Sequence, residues 1–555
     1  MLERDNYWRR RLGPRISRRG VLRSGALLGG GIAAASLVGC GGSSGGSGNA
    51  GDGNGNGGSG AGGPKKGGTL TFRIPTDPPS LDLHQVSTYV GVFPEAPAYN
   101  QLVQYDPHDP TMTRLTPDLA AALPEQPDET TYVFTLQEGV TFHDGQPFTA
   151  EDVKANLEWI QNPPEGKPSP RAGALAALDG IETPNETTVR LRLKRPNPSL
   201  IANLASHYFA IGPKHVLDAE GDLGQDLIGT GPFKLKGYQR GVSLALERNP
   251  NYFRQDRPYL DGVEAYIVRD ENTALANFRA GQLHMMYPID GAQVVELRRD
   301  LGDRAEIVNV PSYTRIILFP NARRAPFEDK RVRQAISMAI DRRQAVDVVL
   351  SGFGQLGTYM HPDGQWALPE EELLDLPGHA AADIDGARRL LAEAGVSTPL
   401  EIRMLARNDF EDTAVFVKDK LAQIGIEATL DLRDSAAAYD AAYAGDFDLI
   451  TWHLSIAIDD PDAVFAEYAT TDAVRNWSGV SVPEADDLFR KQSETLDDEE
   501  RKALVNELER ALIGEIQSIH IAYQIYPNGI WRSVQNYTFH PSLYTNRRME
   551  DVWLT

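Results

Sequence analysis

Gly229 to Val268 reads GTGPFKLKGYQRGVSLALERNPNYFRQDRPYLDGVEAYIV, and the alternation in this stretch sets the fold reading. Phe233 and Leu235 alternate with Lys234 and Lys236. Val242, Leu244 and Leu246 alternate with Ser243, Ala245 and Glu247. A period of two marks half-buried strands. Arg240-Gly241 closes a first hairpin, Asn249-Pro250 stops the second strand, and Asp261-Gly262 turns the chain into Val263, Ala265 and Ile267; these are turn-forming pairs. The stretch predicts a three-stranded meander, and periodicity alone supports nothing narrower than an antiparallel sheet.

Outward from the meander, 555 residues with 41% hydrophobic content suffice for two or three cores. Lys plus Arg at 55 against Asp plus Glu at 77 gives a net charge of −22. Without residues 1–39, which hold eight Arg and two acids, the balance is 47 against 75, or −28. Such a field repels phosphate backbones and anionic lipid, so no nucleic-acid partner is expected. Ser17-Arg18-Arg19-Gly20-Val21-Leu22-Arg23 resembles a twin-arginine export motif and precedes a mild Gly/Ala-rich run, Gly25 to Val38. That run is too short and too mild to span a bilayer stably. Leu37-Val38-Gly39-Cys40 resembles a lipobox, which makes Cys40, the single cysteine, the expected lipidation site and new N-terminus. Residues 1–39 are read as signal and 40–66 as lipidated Cys plus a Gly-rich tether. No disulfide can form within the mature chain, so packing must supply its stability.

The remaining elements follow from local signals. Thr69 to Ile74 is a strand ended by Pro75. Thr149 before Ala150-Glu151-Asp152 predicts a capped helix start. His143 has no second His or Cys at metal spacing and is assigned a structural role. Thr188 to Leu193 is an alternating strand, Asn272 to Ala280 a short helix, and Arg315 to Phe319 an apolar strand. Val332, Ala335, Ile336, Ala339 and Ile340 form one helix face. Gly352-Phe353-Gly354-Gln355-Leu356-Gly357 satisfies G-x-G-x-x-G but follows a helix and precedes Thr358-Tyr359-Met360-His361-Pro362. It lacks the strand–helix context of a dinucleotide site and is read as a loop.

Residues 385–452 alternate helix and strand: helix 386–394, strand 400–405, helix 411–424, strand 426–432, helix 435–444 and strand 447–452, with helices stopped by Gly395, Gly425 and Gly445. That is a parallel, doubly wound unit. Ligands gather beyond the carboxyl ends of such strands, which singles out Arg407-Asn408 and Trp452-His453. Asp459, Asp460 and Asp462 lack the D-x-D-x-D-G frame of a calcium loop. No nucleophile elbow occurs outside the tether and no H-E-x-x-H occurs at all, so neither a hydrolase nor a zinc enzyme is expected, and no cofactor.

Several ordered runs now carry a resemblance. GGTLTFRIPTDPPSLD, Tyr99-Asn100-Gln101-Leu102-Val103 with Tyr105-Asp106-Pro107, GVTFHDGQPFTAEDV, G-T-G-P-F-x-L, L-E-R-N-P-x-Y, P-Y-L-D, Asn321 to Phe327 with RVRQAI, and FDLITW followed by DDPD at 459–462 resemble the family 5 extracellular solute-binding proteins of ABC importers, across nearly all of residues 67–555. The resemblance implies an α/β fold like periplasmic binding proteins of type II. It has two main lobes, an extra smaller lobe, and a ligand cleft with crossing hinge strands. On that frame lobe I holds 67–105, 226–318 and 521–555, the smaller lobe 106–225, and lobe II 319–520. The Gly-rich bend near 352–357 is implied to line the cavity. Peptide-binding members place an Asp three residues after the Trp to hold the peptide ammonium, whereas this chain has Ser455 there and extra residues before Asp459. The candidate ligand-binding set is Trp452, His453, Ser455, Asp459, Asp460, Arg407 and Asn408, with Tyr313 and Arg315 at the start of the 315–319 strand. The implied role is a monomeric receptor that delivers a peptide to ABC permease subunits and meets the membrane only through its lipid anchor. An oligosaccharide receptor of the same fold and a sensor uncoupled from transport are the alternatives.

Overall fold

The computed structural model describes residues 63–86 and 88–555; the twin-arginine segment, Cys40 and nearly all of the tether lie outside them. The described chain starts against the meander, where the Gly67 N–H donates to Tyr259 O at 2.9 Å and the Gly68 N–H to Asp261 Oδ2 at 3.0 Å.

One eleven-stranded sheet organises the molecule. In chain order its strands are β1 (Thr69–Ile74), β2 (Phe233–Gln239), β3 (Ser243–Arg248), β4 (Gly262–Ile267), β5 (Met285–Met286), β6 (Ala305–Pro320), β7 (Gly354–Gln355), β8 (Leu400–Arg407), β9 (Ile426–Arg433), β10 (Leu449–Ser455) and β11 (Ile519–Trp531). They lie in the order β9-β8-β10-β6-β11-β5-β1-β4-β3-β2, with β7 on β11. The expected meander is β2-β3-β4, antiparallel throughout. Its outward alternation follows the sequence: Leu244 and Leu246 are buried, while Val242 falls just outside β3 and is exposed.

The sequence reading found only the apolar end of β6, although the strand runs for 16 residues. Pro311 and the polar residues around it hide the rest, because they sit where β6 changes neighbours. Ala305 to Pro311 pairs with the far half of β11, and Arg315 to Leu318 with its near half. Only the second half of β6 also pairs with β10. The register slips between Pro311 and Arg315, a bulge at a proline that has no N–H for the ladder. There the Ser312 hydroxyl accepts the Thr314 N–H at 3.1 Å.

A separate four-stranded antiparallel sheet is built from residues 125–128, 131–135, 188–193 and 178–185, in that spatial order. Helix α1 (Ala150–Gln161) belongs to this region, and its capping box is closed. The Asp152 carboxylate accepts the Thr149 N–H at 2.8 Å and hydroxyl at 3.0 Å. His143 is structural, with Nε2 3.1 Å from Gly231 O and Nδ1 3.3 Å from Leu227 O.

The α/β unit forms as expected: β8 pairs parallel with both β9 and β10, connected through α2 (Glu411–Ala422) and α3 (Ser435–Ala444). Gly445 stops α3 in the left-handed region at φ 66°. After β10 come α4 (Pro461–Tyr468) and α5 (Asp498–Gly514). One expectation fails in detail, and the tail, whose aromatic-rich sequence from Tyr537 to Leu554 reads as strands, is a second departure. β10 continues to Ser455, so Trp452 lies within a strand rather than at its end. Between Tyr537 and Leu554 the chain is irregular rather than strand-forming, apart from a two-residue pairing at Trp553–Leu554. Ion pairs replace a ladder in that tail. Arg548 meets Asp118 and Gln104, and Glu550 meets Arg254 and Tyr252.

Candidate cleft site

The site forms where the bulge of β6 faces the turn between β10 and α4. That turn contains three acids, and helix capping sorts them. Asp460 is the N-cap of α4, followed by Pro461 at the first helical position, and it accepts the Asp462 N–H at 2.9 Å. Its carboxylate also accepts the Ser199 hydroxyl at 2.6 Å and both Arg501 Nη groups at 3.2 Å. Asp462 accepts Gln492 Nε2 at 2.6 Å and the Ser493 hydroxyl at 2.7 Å. Asp460, a sequence candidate, is therefore committed to holding the turn. Asp459, one position too early to cap, points elsewhere. Its Oδ1 is sealed from solvent and has no hydrogen-bond partner.

Burial, then the neighbouring Asp460, pushes the Asp459 carboxyl up to about 7, against a backbone hydrogen bond from His361 and the attraction of Arg315. The Tyr313 and Tyr105 hydroxyls share this interior and are held neutral chiefly by burial, with Asp459 adding to the effect. Arg315 is 1% exposed, and none of its three nitrogens has a partner in hydrogen-bond geometry. The Tyr468 and Tyr523 rings flank it, each with its centroid 5.8 Å from the guanidinium carbon. His361 lies edge-on to Tyr313 at 5.3 Å and to Tyr523 at 5.1 Å, and burial lowers its pKa to about 4. The site thus holds a carboxyl with one unpartnered oxygen, Asp459 Oδ1, and the Arg315 guanidinium in one buried, tyrosine-lined space. Lone buried charges of either sign are costly, so such atoms ask for a ligand with complementary groups.

The other sequence candidates do not converge on it. Trp452 is 1% exposed, in edge-to-face contact with Tyr439 at 4.9 Å, Trp477 at 5.1 Å and Phe410 at 5.8 Å. His453 points to the opposite face of β10, where Thr413 Oγ1 and Gln524 Nε2, each at 2.9 Å, satisfy both ring nitrogens. Burial and Arg407 depress its pKa to about 3. Arg407 makes a two-pronged pair with Asp409 at 2.9 and 2.6 Å, and Asn408 is exposed. Ser455 lies beside the Tyr544 hydroxyl. Sequence reasoning missed Tyr105, His361 and Tyr523. His361 follows the bend expected to line the cavity, but nothing in the local pattern marks the others. Among the described residues no group of three His, Cys, Asp or Glu side chains could hold a metal ion. A cavity of about 40 Å³ between 104–108 and 536–552 has the size of one or two waters.

Charged groups thus lie buried beside the register slip between the two long paired strands of a mixed α/β frame. The model of the bacterial extracellular solute-binding proteins, family 5, middle region, matches residues 114–476, and the chain belongs to that family. It is thus a binding protein rather than an enzyme. It is 26% identical over 464 residues to the probable D,D-dipeptide-binding periplasmic protein DdpA of Escherichia coli, covering 80% of this chain and 87% of that one. It is 28% identical over 472 residues to the oligopeptide-binding protein AppA of Bacillus subtilis, covering 79% and 83%. The periplasmic binding protein DppA of Helicobacter pylori, solved with the peptide STSA, superposes with a TM-score of 0.78 over 88% of this chain and 98% of that one, at 22% identity. The fold is thus of the periplasmic-binding-protein type II class. No helix among the described residues is long and apolar enough to cross a membrane.

Proposed function

We propose that this chain is a lipid-anchored extracytoplasmic receptor that captures a peptide between its lobes and hands it to an ABC permease. The observation that carries the peptide reading is the buried pair of Asp459, whose Oδ1 has no partner, and the Arg315 guanidinium. A free-amine peptide is a zwitterion, and its ammonium and carboxylate match those two groups. Asp459 takes the role that Ser455 cannot perform, because a hydroxyl carries no charge to balance an ammonium. Binding also supplies the counter-charge that makes ionising Asp459 favourable. Peptides are what the names of the DdpA and AppA relatives describe. Trp452, with its rings and edges packed against other aromatics, is less suited to stacking on a sugar.

The test is calorimetry with di-, tri- and tetraalanine, their N-acetylated forms, and cello- and xylotetraose. Free-amine peptides are expected to bind, N-acetylation to abolish most of the affinity, and Asp459→Asn to weaken binding about ten- to a hundredfold, the worth of one buried charged hydrogen bond. Binding of the oligosaccharides with no peptide response, and a larger loss from Trp452→Ala than from Asp459→Asn, would overturn the peptide reading.

A further inference from the structure

Asp459 carries the site, yet its own backbone does not fix its carboxylate. Three residues that touch it come from one loop, 358–366. A backbone hydrogen bond from His361 reaches the carboxylate. Gly364 packs so closely against Oδ2 that a Cβ there would collide with it. Trp366 Nε1 donates to Asp459 O at 2.9 Å. This loop is in turn gripped at both ends by α5. Glu509 is fully buried, and its Oε1 accepts from the Thr358 hydroxyl, from the Tyr359 N–H at 2.6 Å and from the Met360 N–H at 3.2 Å. Asn506, one turn earlier, donates from Nδ2 to Trp366 O at 2.8 Å. Arg501, on the same helix, stacks over the Trp366 ring at 4.8 Å while pairing with Asp460.

We propose that Glu509 and Asn506 are positioning residues for ligand capture: α5 sets the 358–366 loop, and the loop sets the Asp459 carboxylate that meets the ligand ammonium. The proposal rests on the reading of Asp459 as the ammonium acceptor. Its physical basis is that removing the Glu509 acceptor strands three buried donors at once. The loop must then shift to find partners, and Gly364 and His361 move with it. A glutamine at 509 keeps the accepting oxygen and changes only Oε2, which has no partner.

Charge gives a second handle. The groups that face Glu509 are Arg315 from β6, Asp459 from the turn, Tyr359 from the loop and Tyr523 from β11, with Arg510 beside it on α5. Burial pushes Glu509 up to about 7, and its negative charge also raises Asp459. Ammonium capture requires ionised Asp459, so affinity for a free-amine peptide should fall as pH drops below about 7. Neutralising position 509 should move that fall to lower pH.

The experiment uses the full chain with Glu509→Gln, Glu509→Ala and Asn506→Ala. One arm is crystallography without ligand, and the other is calorimetry from about pH 5.5 to 8.5 with the tightest-binding alanine peptide. Asp459 should be displaced in Glu509→Ala and unmoved in Glu509→Gln. Affinity near pH 7.5 should fall about ten- to a hundredfold in Glu509→Ala, less in Asn506→Ala, and no more than about threefold in Glu509→Gln, whose pH profile shifts downward. An unmoved Asp459 with wild-type affinity in Glu509→Ala would overturn the proposal. So would equal losses in Glu509→Ala and Glu509→Gln with no change of pH profile, which is the mark of a merely structural residue. If Glu509→Ala does not fold, the pH shift of Glu509→Gln and the displacement in Asn506→Ala decide. If no alanine peptide binds the wild type, the peptide reading fails while the crystallographic arm still judges the positioning.

Discussion

Three aspartates within four positions have three different fates, and the difference is geometric. A helix start needs one acceptor at its N-cap, so Asp460 turns inward to its own backbone and to Arg501, and Asp459 is left to face the tyrosines. Its raised pKa has a consequence for stability. The folded protein holds a proton on Asp459 between the ordinary carboxylate value and about 7, whereas the unfolded chain has already released it. The native state is therefore favoured at low pH, and that advantage is lost as pH rises through about 7. Asp459→Asn removes the buried charge, so the unliganded variant should be more stable than wild type at pH 8, by about 1–3 kcal/mol, with the gap closing toward pH 4. Thermal unfolding at the two pH values measures it, and a pH-independent gap would mean that Asp459 is solvated in the native state.

At the scale of elements, the two long strands β6 and β11 decide how the molecule can move. Each contributes one half to the meander side of the sheet and the other half to the α/β side, and the ladder between them slips between Pro311 and Arg315. A bulge replaces regular ladder bonds with local ones, and so it is where the least pairing resists bending. Tyr313 and Arg315 lie in or beside that slip, so under the proposed reading of the site a bend there would move both. The Ser199 hydroxyl, from the region of the four-stranded sheet, bonds Asp460 at 2.6 Å and accepts Arg501 Nη2 at 2.8 Å, contacts that the proposed opening would break. The bound protein should therefore show a smaller radius in X-ray scattering than the free protein. At a ligand concentration of about 100 times Kd, binding should add about 2.7 kcal/mol of stability. A radius unchanged at saturation would rule out closure about these strands.

For the whole molecule, the tether and the folded body are separate problems. The globular part begins at β1, and Cys40 lies well before it, among residues outside the described structure. If the lipobox reading holds, Cys40→Ala should move the protein from the membrane fraction to the soluble fraction without changing its melting temperature, since a Gly/Ser/Asn-rich tether sequence offers little apolar surface to bury. Equal retention of both forms would remove the anchor. By itself the sequence determined the class of protein, the meander, the capped helix at Thr149, the parallel α/β unit and the acidic turn after Trp452. The class came from ordered runs that resemble a known family; the rest are written in contacts between near neighbours: alternation, caps and turn residues. What only the tertiary structure decided is which of those residues share the buried space of Asp459 and Arg315. Trp452 and His453 carry the strand-end pattern, yet Trp452 packs against Trp477 and Tyr439 and His453 bonds to Thr413 and Gln524. Glu509 has no local mark at all, because its partners at 358–360 lie about 150 residues away in the chain. Burial and pairing over such separations depend on how the whole sheet is assembled, and no window of sequence contains both halves of the contact.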